Sequence, residues 1–536
     1  MFKKLLKSAL GFSGKRDSGK ITSRQPGEKR PLSADYDDNL QTLRQVFDQC
    51  FDILFREFFI NADMPLRAFI VYVTGLTNHE MVNDHLLKSI MQETANLPSS
   101  VHLSKANAQQ VIQERLINLD ETSTTTDLIE LVKKVLEGNT VLLLDGSATA
   151  IIAGVRGVES RAINEPDSEP GVRGPKDGFV ETLDTNMSLI RRRIKTSRLK
   201  AEIFETGLLT KTKLAVCYIK GIANDKVVQE VKQRIGRINI DSVLSGNQIE
   251  ELIMDEAFSL FPLVQYTERP DKAAASLLEG RVVILVDNSP MPLIVPVTFI
   301  SLLQAAEDYY NNAVFATSVR LLRFIALNIA LLLPALTVAA FSFHQELLPT
   351  ALINTVAGAR QGLPLPIVLE ILMIEFAFEL LREAGVRLPK TIGQAISTVG
   401  GLVIGQAAVN AGLVSPISVI VVATTAIASF TIPNYAAGTA LRILRFVLII
   451  LAGFLGGVGI ISGLMVILFH LCSLRSFGIP YLSPIAPLSL GDLKDTMVRA
   501  PWWAMLRRPW MSVSNEPVRQ DPDQGPQKPD KGGQTS

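Results

Sequence analysis

Four glutamates recur in the apolar stretch LEILMIEFAFELLREAG: Glu370, Glu375, Glu379 and Glu383. The last three stand four residues apart, so a helix holds them on one face. An ionised carboxylate in hydrocarbon costs at least ~3 kcal/mol on insertion scales, so the stripe must face water, a cationic partner or another subunit. In a ring of subunits, a helix turned toward the axis makes acidic rings of Glu375 and Glu379, which select cations. Pairing with Arg382, Arg387 or Arg323, or a helix lying at the interface, is the plainer alternative. Three amides, Gln394, Gln406 and Asn410, follow beside Gly400, Gly401 and Gly405. Small residues let helices approach and amides cross-link them; lining a polar path is the sharper use of the same residues.

A basic cluster, Arg191, Arg192, Arg193, Lys195, Arg198 and Lys200, closes the segment DTNMSLIRRRIKTSRLK. It reads either as a contact surface for acidic partners or lipid headgroups, or as a solvated face balanced by Glu181, Asp184 and Glu202. Asp145 and Asp287 stand at tight turns, where a carboxylate more often holds the turn backbone than a metal. No Walker loop, GxSxG or HExxH occurs, and no GxGxxG follows a strand. Five histidines show no ligand spacing, and Cys50, Cys217 and Cys472 form no CxxC. The expectation is a protein that is not an enzyme and carries no cofactor or metal. A net charge of +1 gives no reason to expect nucleic acid.

The elements that position these residues change character near residue 320. From Leu321 to about Leu474 the chain is apolar, and Leu321–Phe343 alone exceeds the roughly 20 residues a spanning helix needs. Further candidate spans are Ile367–Leu381, Ile392–Leu413, Ile417–Pro433 and Phe446–Leu474. Arg320, Arg387 and Arg442 mark cytoplasmic ends. A C-terminal stretch rich in arginine and tryptophan, ending LRRPW, looks interfacial; if it too is cytoplasmic, the number of crossings must be even. One candidate, either Ile367–Leu381 or the glycine-interrupted last segment, is then re-entrant, interfacial or split in two.

Before residue 320 the pattern is α/β and internally repeated. Arg67–Met91 resembles Lys213–Ile235: an apolar strand, a glycine (Gly75, Gly221), an asparagine (Asn78, Asn224) and an amphipathic helix. LEGNTVLLLDGS likewise matches LEGRVVILVDNS, a turn followed by a buried strand. The helical spacing of Leu40, Leu43, Val46, Phe47, Phe51 and Leu54 predicts one helix from Asp38. The resulting organisation is a flexible basic segment (1–37), a first α/β half (38–160), a linker with a basic helix (161–212) and a second half (213–310). A transmembrane helix bundle (311–475) and an interfacial segment with a disordered tail (476–536) follow. The fold class is thus an α/β soluble region of two related halves followed by an all-α transmembrane bundle. The N-terminus lacks a signal-peptide h-region, which leaves the soluble region in the cytoplasm.

The segments GPKDGFVETLDTNMSLIRRRIK, VLEGNTVLLLDGS, QAAEDYY, RLPKTIGQAISTVGGLVIGQAAV and ASFTIPNYAAGTALRILRF resemble the A subunits of spore germinant receptors, the GerA family. The likeness runs from about Asp38 to Trp510. It implies a multi-pass protein of the spore inner membrane with a cytoplasmic N-terminal domain. Its implied partners are a transporter-like B subunit, a lipoprotein C subunit and membrane lipid. The family is proposed to form a homo-oligomeric ring, a pentamer, that acts as a nutrient-gated cation channel. A-like proteins encoded with dipicolinate-channel genes share these features. A solute permease with Gln394, Gln406 and Asn410 at a midplane site, and a non-conducting scaffold, are the alternatives.

Overall fold

The computed structural model describes residues 30–60, 66–92, 107–113, 119, 121–157, 165–166, 168–388, 405–509 and 516–526. The chain divides into two units: Met1–Met254, Val264–Pro296 and Met505–Ser536 form one, and Asp255–Leu263 with Val297–Ala504 the other.

The first unit holds two five-stranded antiparallel sheets. In the first half, helix α1 (Tyr36–Val46) precedes β1 (Ile53–Ile60), β2 (Leu66–Val73), β3 (Thr122–Thr125), helix α2 (Leu128–Leu136), β4 (Thr140–Leu144) and β5 (Ala150–Ala153). The second half repeats this series with α3 (Leu183–Arg193), β6 (Leu199–Thr206) and β7 (Thr212–Ile219), then helices α4 (Asp225–Gly236) and α5 (Gly246–Ile253). Strand β8 (Gln265–Tyr266), α6 (Pro270–Leu278), β9 (Val282–Val286) and β10 (Leu293–Val295) complete it. The strand orders, β1-β2-β4-β5-β3 and β6-β7-β9-β10-β8, are the same arrangement.

Why these strands lack polar alternation is visible in the first sheet. Phe69, Val71, Leu143 and Ile152 face a core shared with Leu40, Leu43, Leu131 and Val135 of α1 and α2. Their neighbours Ile70, Tyr72, Leu142 and Ile151 face a second core with Val82, Leu86 and Ile90. A strand covered on both faces needs apolar residues at every position. Both LEG turns place glycine where a β-carbon is strained, Gly138 at φ 90° and Gly280 at φ 85°.

The repeat begins earlier than its strands suggest. Asn39 in α1 clamps the chain before its helix, its Oδ1 accepting from Ser33 N at 3.0 Å and its Nδ2 donating to Ser33 O at 2.6 Å. Asn186 in α3 does the same to Val180 N and O, at 2.8 and 2.5 Å. Consequently α3 and β6 belong to the second half, which starts before Lys213. Residues 30–37 are likewise folded in part, since Leu32 is buried in the first core. The single helix expected from Asp38 to Leu54 is not formed: α1 ends at Val46, and Leu54 is exposed on β1. The β-favouring run ILFREFFI outweighs the helical spacing because it pairs along its whole length with β2. Asp287 reaches away from its own turn: its Oδ1 accepts from Leu183 N, at the start of α3, at 3.2 Å.

The two halves meet through a buried ion pair. Arg191 of α3 donates from Nε to Asp52 Oδ2 at 2.6 Å and from Nη2 to Asp52 Oδ1 at 2.9 Å. Both residues are essentially inaccessible to water. Its remaining nitrogen, Nη1, donates to Thr196 O at 3.2 Å. Beside it, Lys200 Nζ donates to Val46 O and Asp48 O at the C-terminal end of α1.

In the second unit, α7 (Ala313–Ser342) is opened by Asn312, whose side chain accepts from Val314 N. Helices α8 (Thr350–Arg360), α9 (Ile367–Arg387), α10 (Pro416–Phe430) and α11 (Tyr435–Ser473) follow. Pro366 and Pro416 mark the N-terminal ends of α9 and α10, as proline should. Helices α7 and α11 are long and apolar enough to cross a membrane, with mean hydropathies of 2.3 and 2.4. Most of Ile392–Leu413 lies outside the described residues.

The last helix is broken at Gly456, at φ 59° and ψ −137°. A β-carbon on Gly459 would stand 2.2 Å from Leu451 O, and one on Gly463 would stand 2.5 Å from Leu448 Cδ2. A straight helix would separate Leu448 from Gly463 by about 22 Å. The chain therefore reverses at Gly456, and α11 is a tight helical hairpin. Its glycines let the two arms approach. His344 Nε2 accepts from Gly457 N at 3.2 Å, satisfying a backbone donor freed by the break.

Two outcomes are expected of the α/β unit. Asp52→Ala strands the Arg191 guanidinium and should destabilise the unit by about 3–5 kcal/mol, read as a lower urea midpoint and lost hydrogen-exchange protection in β1 and α3. Asp52→Leu with Arg191→Met should restore most of it; an unchanged midpoint for Asp52→Ala would mean that the halves are joined otherwise. The second concerns Glu250 of α5, whose pKa burial raises to about 7. An acid weakened by folding is protonated in both states below its unfolded pKa, so its penalty is absent there. Stability is lost as pH rises through the folded value. Glu250→Gln should therefore raise stability by about 1–3 kcal/mol at pH 8 and leave it unchanged at pH 4; equal melting shifts at both pH values would contradict this.

Candidate functional site: charge clusters among apolar helices

All four glutamates read from the sequence lie on α9, each near an arginine of a neighbouring helix or of α9 itself. Glu375 is fully buried, and its Oε2 lies 2.9 Å from Arg445 Nη2 on α11, an ion pair without good hydrogen-bond geometry. Glu379 Oε2 accepts from Arg442 Nη1 at 2.9 Å, while its Oε1 lies 3.4 Å from Arg445 Nη2 and 3.6 Å from Arg382 Nη1. Arg382 also donates to Ser429 Oγ at 3.0 Å on α10 and sits over the rings of Phe378 and Phe430. The third, Glu383, pairs one turn on with Arg387 at 2.6 Å, near the surface.

This cluster ties α9, α10 and α11 together and sets Arg382, Arg442 and Arg445 against Glu375 and Glu379. Within one chain, then, no free acidic stripe exists at these two positions. The carboxylates are matched, and the surplus charge is positive. Glu370 belongs to a different environment at the start of α9. It is buried, accepts from Ser415 N, and has Arg360 Nη2 at 3.9 Å. Gln406 and Asn410 are exposed and bond one another at 3.4 Å, and Gln394 lies outside the described residues.

The basic contact surface does not survive as a patch. Arg191 is wholly buried against Asp52, which corrects its reading as a surface residue. Arg193 is half-buried, bound to Asp177 and to Leu189 O. Only Arg192 and Lys195 of the four are exposed. A helix end carrying three successive arginines has to point one of them inward, and α3 points Arg191.

A second charge cluster was hidden in the sequence because Arg320 read as a topology marker and Arg323 as a partner for the glutamates of α9, whereas Arg323 pairs with Asp308. Asp308, buried, accepts at Oδ2 from Arg320 Nε at 3.1 Å and Arg323 Nη1 at 2.7 Å. Arg320 Nη1 donates to Asp495 Oδ1 at 2.8 Å, and Tyr309 Oη donates to Asp495 Oδ2 at 2.7 Å. Arg499 donates to Tyr309 O at 3.4 Å and lies over the ring of Trp502. The available signal was the acidic QAAEDYY stretch just before two arginines spaced one helical turn apart. Among the described residues no group of three or more histidine, cysteine or carboxylate side chains could hold a metal ion.

A family profile described as "Bacillus/Clostridium GerA spore germination protein" matches residues 41–511. The chain is 44% identical to the "Uncharacterized membrane protein YfkQ" of Bacillus subtilis (strain 168), over 91% of this chain and 93% of that one. It is 42% identical to "Spore germination protein KA" of the same organism, over 94% and 92%. A crystal structure of the N-terminal domain of the A subunit of the Bacillus megaterium spore germinant receptor GerK3 aligns at 31% identity. That alignment covers 51% of this chain and 99% of that one, with a TM-score of 0.40. On the match across nearly the whole folded sequence, the chain belongs to the GerA family of spore germination proteins.

Proposed function

We propose that this chain is the A subunit of a nutrient germinant receptor, held in the spore inner membrane by its helical unit with the α/β unit in the cytoplasm. The observation that carries the membrane reading is the path of the chain. The α/β unit takes both the residues before Pro296 and those after Met505, where Arg508 Nε donates to Leu278 O at 2.9 Å. A chain that leaves one compartment and returns to it crosses an even number of times. The reversal at Gly456 supplies the additional crossing that five uninterrupted spans lack. Arg320, Arg387 and Arg442 then lie toward the cytoplasmic side, in keeping with the positive-inside rule.

Copies of the chain, with a transporter-like B subunit and a lipoprotein C subunit, form a cation channel opened by nutrient. The resting chain keeps Glu375 and Glu379 neutralised by Arg442 and Arg445. Opening exchanges these partners and exposes carboxylates to the path, where they favour cations. A permease reading gains no support from the helical unit, because the repeat lies in the α/β unit.

The test is potassium efflux from proteoliposomes holding this chain with its B and C partners. Nutrient should trigger efflux, Glu375→Gln and Glu379→Gln together should reduce cation selectivity, and Arg445→Gln should leak without nutrient. No efflux from a verified assembly would favour the scaffold; efflux with unchanged selectivity in the double variant would move the path elsewhere.

A further inference from the structure

The second charge cluster borders a small pocket at the N-terminal end of α7, lined by Ile300, Leu303, Gln304, Arg320, Arg323, Phe324, Thr496 and Met497. We propose that this pocket binds the phosphate of an anionic lipid headgroup. The proposal rests on the membrane reading above.

Three observations carry it. First, the arginines have donors to spare. Arg320 is 4% exposed, yet its Nη2 is buried with no hydrogen-bond partner among the described residues. Such a group costs free energy unless a ligand or water meets it. Among the described residues Arg323 bonds through Nη1 alone, to Asp308 and Leu303 O. Two guanidinium groups with open nitrogens match the oxygens of a phosphate better than any neutral ligand.

Second, the charge is unbalanced. Arg320, Arg323 and Arg499 surround Asp308 and Asp495, and both carboxylates are already engaged by these arginines or by Tyr309. The polar side chains of the wall are engaged too: Gln304 Nε2 donates to Asp495 O, and Thr496 Oγ1 to Leu493 O. Those bonds engage the donors of Gln304 and Thr496, so among the described residues the donors left for an incoming anion are the guanidinium nitrogens.

Third, the surroundings are amphipathic. Ile300, Leu303, Phe324 and Met497 supply an apolar wall. Leu321, Leu322 and Ile325 on the same turns of α7 are 44%, 57% and 60% exposed, a surface suited to an acyl chain. Trp502 and Trp503 stay partly exposed in the segment after Arg499, as tryptophan does where membrane meets water. A free phosphate satisfies the arginines but leaves this apolar surface uncovered, which favours the lipid.

The test uses the full chain in phosphatidylcholine nanodiscs with and without phosphatidylglycerol, followed by native mass spectrometry of the delipidated protein. One phosphatidylglycerol per chain should resist removal. Arg323→Gln should weaken retention about tenfold, and Arg323→Lys, which keeps charge but not the fork, by less. Where Arg323→Gln does not fold by circular dichroism, Arg323→Lys decides. Equal retention of the two lipids by the wild type, or retention unaffected by either variant, would overturn the proposal. Inorganic phosphate alone, raising the melting temperature as much as phosphatidylglycerol does, would make the ligand a soluble anion and overturn the lipid assignment. Carbonate extraction separates the underlying reading: a chain washed off membranes was never embedded, whereas a chain that stays embedded without selective lipid retention loses only this site.

Discussion

A charge taken out of water must meet an opposite charge or a good set of hydrogen bonds, and much of this structure follows from where that condition is met. Arg191 and Asp52 meet it completely: two parallel hydrogen bonds join one guanidinium to one carboxylate, and the remaining nitrogen finds a backbone carbonyl. That matched pair lies between the two repeated halves and fixes their register as no apolar contact would, because a shifted packing would strand both charges. The clusters of the helical unit are different. Each sets three arginines against two carboxylates, and among the described residues each leaves guanidinium nitrogens without a partner, Arg382 Nε and Arg445 Nε in one, Arg320 Nη2 and Arg499 Nε in the other. Matched charge suits a fixed joint; surplus charge suits a place where something else binds or moves.

The repeat explains why the joint is asymmetric although the halves are alike. Asn39 and Asn186 perform the same clamp, and the two sheets share one strand order. Yet the acid comes from the link between α1 and β1, and the arginine from the last turn of α3. A second symmetric pair would have needed the same exchange in reverse; the second half instead runs from α3 into β6 through Thr196 and Leu199. One half therefore acts as donor and the other as acceptor, which turns two similar folds into a directed pair.

The sequence made legible whatever depends on local pattern. The strand–Gly–Asn–helix repeat, the paired LEG turns and the apolar helices after Leu321 all rest on near-neighbour spacing, and the structure contains the corresponding elements. What escaped is long-range. Nothing in DQCFDILFREFF says that Asp52 meets a residue of α3 and not solvent, and Arg191 looks the same as Arg192 until the helix chooses a face. The run Ile53–Ile60 carried two compatible periodicities, and pairing with β2 decided between them. In the acidic stripe of α9, Glu375 and Glu379 meet arginines of α11 more than sixty residues away in sequence, a contact that local spacing does not encode.

The surplus of positive charge also bears on how the helical unit sits among its neighbours. Burying an unmatched guanidinium is tolerable only if an anion or a shared carboxylate lies within reach, because the penalty falls on every copy at all times. At Arg320 and Arg323 the adjoining surface is apolar and exposed, so a lipid phosphate is the natural complement. At Arg382, Arg442 and Arg445 the groups lie between helices, beside carboxylates that change partner if α9 moves against α11. The two clusters share a chemistry but differ in what can reach them. One borders exposed apolar residues of α7 and the other is enclosed by helices, so the first suits a ligand from outside and the second suits a response to movement of α9.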